Sequence, residues 1–148
     1  LNIAHKFGRS VVMKGIYPGY YPDEVRSILD GKAIFVNIER NPLDACVSIL
    51  KARRHRFGDE SQWFAWKPFA DEFEKLKRLD VYEQIVEQVT WFQKYYKAIA
   101  DVTVDLETVC EKPDQVVGMF GKVQRKTPKE KLRFHRHTDT ERDLFRGL

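Results

Sequence analysis

The segment Lys32–Leu50, KAIFVNIERNPLDACVSIL, decides how the chain is read. Ala33, Ile34, Phe35, Val36 and Ile38 form a short apolar run, which predicts a buried strand. A sharp turn follows at Arg40-Asn41-Pro42, and then a helix carrying Ser48. Asn41 suits the N-cap and Pro42 the first helical position. Asp44 falls at the third, where a carboxylate complements the helix dipole. A strand running into a helix N-terminus is receptive to anions, because free N–H groups and the dipole both favour negative charge there. Arg40 stands at its mouth with a five-donor fork suited to phosphate. Ser48 lies seven residues past Asn41, about two turns on, and so returns to the same face. Arg40 and Ser48 are thereby the candidate ligands of a terminal phosphate. The plainer account of these residues is a strand–turn–helix with a solvated Arg and a surface Ser.

Upstream, Val11–Met13 reads as a short strand, ending in a turn over Lys14–Pro18. Pro18-Gly19 and Pro22 mark a loop holding Tyr17, Tyr20 and Tyr21. Asp23–Leu29 is a two-turn helix closed by Asp30-Gly31. The helix after Asn41 is expected to end near Arg54, in the basic cluster Lys51-Ala52-Arg53-Arg54-His55-Arg56. That cluster complements the dipole at the helix C-terminus, or else attracts an anionic partner. Trp66, Phe69, Phe73 and Leu76 have helical spacing and suit a core face or a substrate-facing wall.

Asp80–Ala100 is the clearest helix. Tyr82, Ile85, Val86, Val89, Phe92, Tyr96 and Ile99 form one stripe, and Asp80 with Glu83 makes a capping box. Val102–Leu106 alternates as a strand, Lys112-Pro113 breaks the chain, and Asp114–Phe120 is a short helix stopped by Gly121. Alternating strands and helices predict an α/β layered domain with a mainly parallel sheet.

The chain has 148 residues, enough for one domain with a sizeable core. No apolar run approaches the ~20 residues that span a bilayer. Cys46 and Cys110 have no metal-ligand spacing and suit small buried positions, so a cytoplasmic, reducing setting is expected. The net charge of +4 is uneven: from Gly121 onward there are nine Lys/Arg against four Asp/Glu. Residues 1–121 are therefore read as the α/β domain, and 122–148 as a basic C-terminal arm or extension.

Arg40-Asn41-Pro42-Leu43-Asp44 followed by Ser48 resembles the 3′-phosphate-binding element of PAPS-dependent sulfotransferases. The likeness continues in order. Trp91 sits in the long helix, Leu106-Glu107-Thr108-Val109 stands where that family has Tyr-Glu-Asp-Leu, and Pro113 follows at the family's spacing. Met119-Phe120-Gly121 resembles the family's closing triplet, and Lys14–Pro18 resembles its Lys-Thr-His-Leu-Pro segment. The resemblance spans Val11–Gly121. It implies a three-layer P-loop-type fold, truncated at its N-terminus, with PAPS as co-substrate and Arg40 and Ser48 on its 3′-phosphate.

Departures accompany it. Phe7-Gly8-Arg9-Ser10 lacks the character of the family's phosphosulfate loop, Ile16 stands where many members have a basic His, and Arg125-Lys126-Thr127 is a poor match to the C-terminal Arg-Lys-Gly. His5, Glu24, Glu39 and His55 are the available acid–base groups, and none is singled out as catalytic. The implied reaction is sulfuryl transfer to a small-molecule or carbohydrate acceptor, with no metal, no membrane and a second copy as a conceivable partner. Two other readings stand: a non-catalytic nucleotide- or polyanion-binding module of the same fold, and a nucleic-acid or assembly protein acting through the basic tail, which is less favoured. A P-loop kinase is the weakest, since no GxxxxGK[ST] occurs.

Overall fold

Two capping signals start the two long helices. Asn41 Oδ1 accepts from the backbone N–H groups of Leu43 (3.0 Å) and Asp44 (3.4 Å), and Pro42 opens the helix Pro42–Phe57. Asp80 accepts from Tyr82 and Glu83, while Glu83 reaches back to the Asp80 N–H, opening Val81–Ile99. The first helix ends at Gly58, whose φ of 67° lies in the left-handed region that glycine adopts without strain. It runs past the expected Arg54 to Phe57.

The computed structural model describes residues 20–58, 74–119 and 137–148. The predicted strand at Val11–Met13, the turn at Lys14–Pro18, the aromatic segment around Trp63–Phe73 and the basic stretch 122–136 lie outside the described residues. The chain divides into two compact units, Leu1–Ala33 and Ile34–Leu148. In the first, α1 is Pro22–Ile28, so Pro22, expected just ahead of the helix, opens it. Asp30 and Gly31 follow it with φ of 53° and 68°.

In the second unit the order is β1 (Val36–Glu39), α2 (Pro42–Phe57), a 3₁₀ turn (Lys75–Arg78), α3 (Val81–Ile99), β2 (Val102–Asp105), α4 (Leu106–Glu111), α5 (Pro113–Gly118) and α6 (Asp139–Asp143). The architecture is mixed α/β, mostly helical, with one small sheet. Leu106 begins α4 instead of ending the strand, because the Asp105 side chain accepts from the Thr108 N–H and caps that helix. β1 and β2 pair in parallel, with Val36 opposite Val102 and Ile38 opposite Val104.

The core lies between the helices. Cys46, Val47 and Leu50 of α2 join Ile85 and Val89 of α3 and Phe145 beyond α6, with Leu43, Ile49, Tyr82 and Val86 around them. Burying each larger apolar side chain contributes roughly 1.5–3 kcal/mol. Burial drives the Cys46 thiol up to about 11, so it acts there as a hydrophobe, as expected.

Three sequence expectations are corrected. The strand run is not buried: Ile34, Val36 and Ile38 are 61%, 40% and 51% exposed, since the helices cover the α2–α3 core and no described residue closes that sheet face. The basic cluster from Lys51 does not act as a single group of dipole-complementing or anion-attracting side chains. Arg53 is fully buried and donates to Gln84 Oε1 at 3.3 Å, and Gln84 in turn donates to the Leu79 carbonyl at 2.8 Å. Lys51 forms an ion pair with Glu141, and Arg54 and His55 are exposed. The start of α2 is not an open row of donors either, because Asn41 already occupies the Leu43 and Asp44 N–H groups. Among the described residues no helix is long and apolar enough to cross a membrane.

Candidate functional site

Parallel pairing brings the carboxyl ends of β1 and β2 to one edge, the usual place for ligands in α/β sheets. An open depression of about 300 Å³ lies there, lined by Glu39, Arg40, Asn41, Asp105, Leu106 and Glu107. A second, of about 340 Å³, flanks Arg40 on its other side and includes Pro42, Gln93, Lys94 and Lys97. Arg40 borders both. Its carbonyl accepts from Gln93 Nε2 at 3.0 Å, which ties the β1–α2 turn to α3. Glu39, considered above as an acid–base group, forms an ion pair with Lys97 at 3.3 Å.

The two residues singled out from sequence meet. Arg40 Nη1 donates to Ser48 Oγ at 2.6 Å across eight residues. The turn swings the guanidinium back along α2 to the helical position two turns up. Neither the solvated Arg nor the lone surface Ser of the plainer account describes this pair.

The polar side chains that meet Arg40 thus lie on the flank of α2 instead of its capped N-terminus. Asp44, Ser48 and Lys51 follow one another at spacings of four and three, which places them along one side of the helix. The C-terminal segment lies against that side. Arg142 donates from Nε and Nη2 to the two carboxylate oxygens of Asp44, both at 2.8 Å. His137 Nε2 lies 2.9 Å from Ser48 Oγ, and its Nδ1 lies 3.4 Å from Lys51 Nζ and 3.5 Å from Glu141. Thr138 and Glu141 form the capping box that opens α6 and holds His137 in place just ahead of it.

Electrostatics follow from these contacts. Asp44 is fully buried, yet the hydrogen bonds from Arg142 keep its carboxyl below the usual range despite the opposing effect of burial. Hydrogen bonding from Lys51 brings Glu141 down to about 2. Burial lowers the pKa of His137, helped by the charges of Lys51 and Arg40, so its imidazole is neutral at physiological pH.

Sequence reading identified Arg40 and Ser48 and missed Asp44 as an ion-pair partner, His137, Glu141 and Arg142. Two signals pointed to them: the polar stripe 44, 48, 51 beside the apolar flank of the helix, and the box Thr138-Asp139-Thr140-Glu141 ahead of an apolar Phe145. What defines the protein at this point is a mixed α/β unit with a cationic and hydroxylic side-chain cluster beside a parallel-strand edge. No family model matches the chain, and neither a curated protein nor a solved structure matches it.

Proposed function

We propose that this chain binds the 3′-phosphate of a PAPS-type nucleotide through Arg40 and Ser48, as part of a sulfotransferase-like domain of three-layer P-loop type. The observation that carries this reading is the 2.6 Å Arg40–Ser48 contact at the carboxyl end of a parallel strand. The donor set fits the group: a guanidinium supplies charge and paired N–H donors, and a hydroxyl adds a third donor suited to a tetrahedral anion. Gln93 fixes the turn that presents Arg40, so the fork is held in position before ligand arrives. Bound PAPS supplies the sulfuryl group for in-line transfer to a hydroxyl or amine acceptor. The role of Arg40 and Ser48 is to bind and orient the nucleotide, which aligns the transfer without their taking part in bond breaking.

A non-catalytic nucleotide-binding module of the same fold is the second reading. It is favoured by the states of two titratable groups at the site: Glu39 is engaged by Lys97, and His137 is buried. The nucleic-acid reading draws less support, since Lys51 is paired with Glu141 and Arg53 is internal.

Calorimetric titration of adenosine 3′,5′-bisphosphate tests the phosphate site. Saturable binding is expected, weakened about 10- to 100-fold in Arg40→Ala, the range for a lost charged hydrogen bond. Adenosine 5′-monophosphate should bind no better to the wild type than to the variant. Equal affinity of wild type and Arg40→Ala for the bisphosphate rejects the assignment. Transfer of labelled sulfate from PAPS to a panel of phenols and sugars separates enzyme from binding module.

A further inference from the structure

A short chain of contacts runs from Lys51 through His137 to Ser48. The Lys51 ammonium is paired with Glu141 and lies 3.4 Å from His137 Nδ1. An ammonium has hydrogens and no lone pair, so Nδ1 is the acceptor in that contact and carries no hydrogen of its own. The ring's one hydrogen therefore sits on Nε2, which lies 2.9 Å from Ser48 Oγ. The lowered pKa of His137 agrees with a neutral ring. His137 donates to Ser48 Oγ, and Arg40 Nη1 donates to the same oxygen at 2.6 Å. Both lone pairs of that oxygen are occupied, and the hydroxyl's own proton points away from both donors. Among the described residues nothing accepts it.

We infer that Lys51 is a positioning residue for the phosphate site: by donating to His137 Nδ1 it keeps the imidazole hydrogen on Nε2, which makes the Ser48 hydroxyl a donor to the bound phosphate. This rests on the phosphate-site reading above. A phosphate oxygen offers lone pairs only, so it is met by a hydroxyl hydrogen and not by a hydroxyl that gives its hydrogen to an imidazole. The opposite tautomer would have that effect, because a bare Nε2 would take the Ser48 proton. Glu141 favours that opposite tautomer: its Oε2 lies 3.5 Å from Nδ1, and a carboxylate there draws a hydrogen onto Nδ1. The Lys51 ammonium touches both groups and reverses the preference. His137 is 7% exposed and stands just ahead of the capping box that opens α6, so neighbouring side chains, not bulk water, set its tautomer. No proton changes owner in this relay, and its only effect is the direction of the Ser48 O–H.

Ring-nitrogen NMR of the full chain at neutral pH reads the tautomer. In the wild type the His137 signals, assigned by their absence from His137→Gln, should show hydrogen on Nε2 and a bare Nδ1. In Lys51→Met the hydrogen should move to Nδ1, and in Lys51→Arg, which restores a donor, it should return to Nε2. Calorimetric titration of adenosine 3′,5′-bisphosphate reads the consequence. Lys51→Met should weaken binding about tenfold in the wild-type background and less than about twofold in Ser48→Ala, where the hydroxyl it acts through is gone. Equal weakening in the two backgrounds would mean that only the lysine charge matters, and it overturns the inference. So does a wild-type ring with its hydrogen on Nδ1. In either case weaker binding by Arg40→Ala leaves the phosphate site standing. No binding of the bisphosphate to wild type overturns the site and the inference together.

Discussion

On one flank of α2, Cys46, Val47 and Leu50 share a core with Ile85 and Val89; on the other, Asp44, Ser48 and Lys51 meet His137, Glu141 and Arg142. The first flank is joined to residues about forty positions away by contacts that any well-shaped hydrocarbon would make. The second is joined to residues about ninety positions away by charges and directed hydrogen bonds. Apolar contact is tolerant of partner identity but costly to hollow out. A buried ion pair is the reverse: it adds little net stability over an apolar pair, yet removing one member strands the other. One helix therefore carries a flank that holds the core and a flank that holds the candidate site.

Changes to each flank separate these roles. The largest effect is expected from Leu50→Ala, which removes a fully buried side chain from the centre of the core. A loss of about 3 kcal/mol, within the usual cavity range, should appear in urea unfolding. A loss under about 1 kcal/mol would mean that the α2–α3 contact is not the core.

Arg142→Ala comes next and bears on the other flank, since it leaves Asp44 buried without its bidentate partner. Its signature is in acid. A carboxyl whose folded pKa is depressed contributes stability above its unfolded pKa, and that contribution is lost as pH falls through the folded value. For wild type the loss from Asp44 and Glu141 sets in near the ordinary carboxylate range and, for Glu141, runs down to about 2. Arg142→Ala should lower stability at pH 7 and flatten the slope between pH 4.5 and 2, because Asp44 no longer has a depressed value to lose. An unchanged slope in thermal melts across that range would refute the pairing.

The smallest effect is expected on the sheet. Ile38→Thr alters a side chain that is half exposed on the outer face of β1, and should change stability by about 0.5 kcal/mol or less. A loss above about 1.5 kcal/mol would show that this face is covered in solution, and would bring the sheet closer in character to the inner flank of α2.

The elements with local causes were legible in the sequence. Asn41-Pro42, the Asp80–Glu83 box and the stripe through Ile85 and Val89 each act over one or two turns, so the letters suffice to place both long helices. The strand at Val36 was also visible, but its burial was not, because an apolar run reads alike whether or not a second layer covers it. At the site, Arg40 and Ser48 were legible because a single helix relates them by its period. His137 and Arg142 were not, since nothing in the text between positions 48 and 137 says which surface the C-terminal helix meets.

What the sequence determined by itself, then, is where helices begin and which of their faces are apolar, because capping and periodicity are short-range. The tertiary structure alone decided that Asp44, Ser48 and Lys51 face His137, Glu141 and Arg142, and that Arg53 lies inside while Ile38 lies outside. Charges and hydrogen bonds gain their strength from the exclusion of water, and the packing of the whole chain determines where water is excluded.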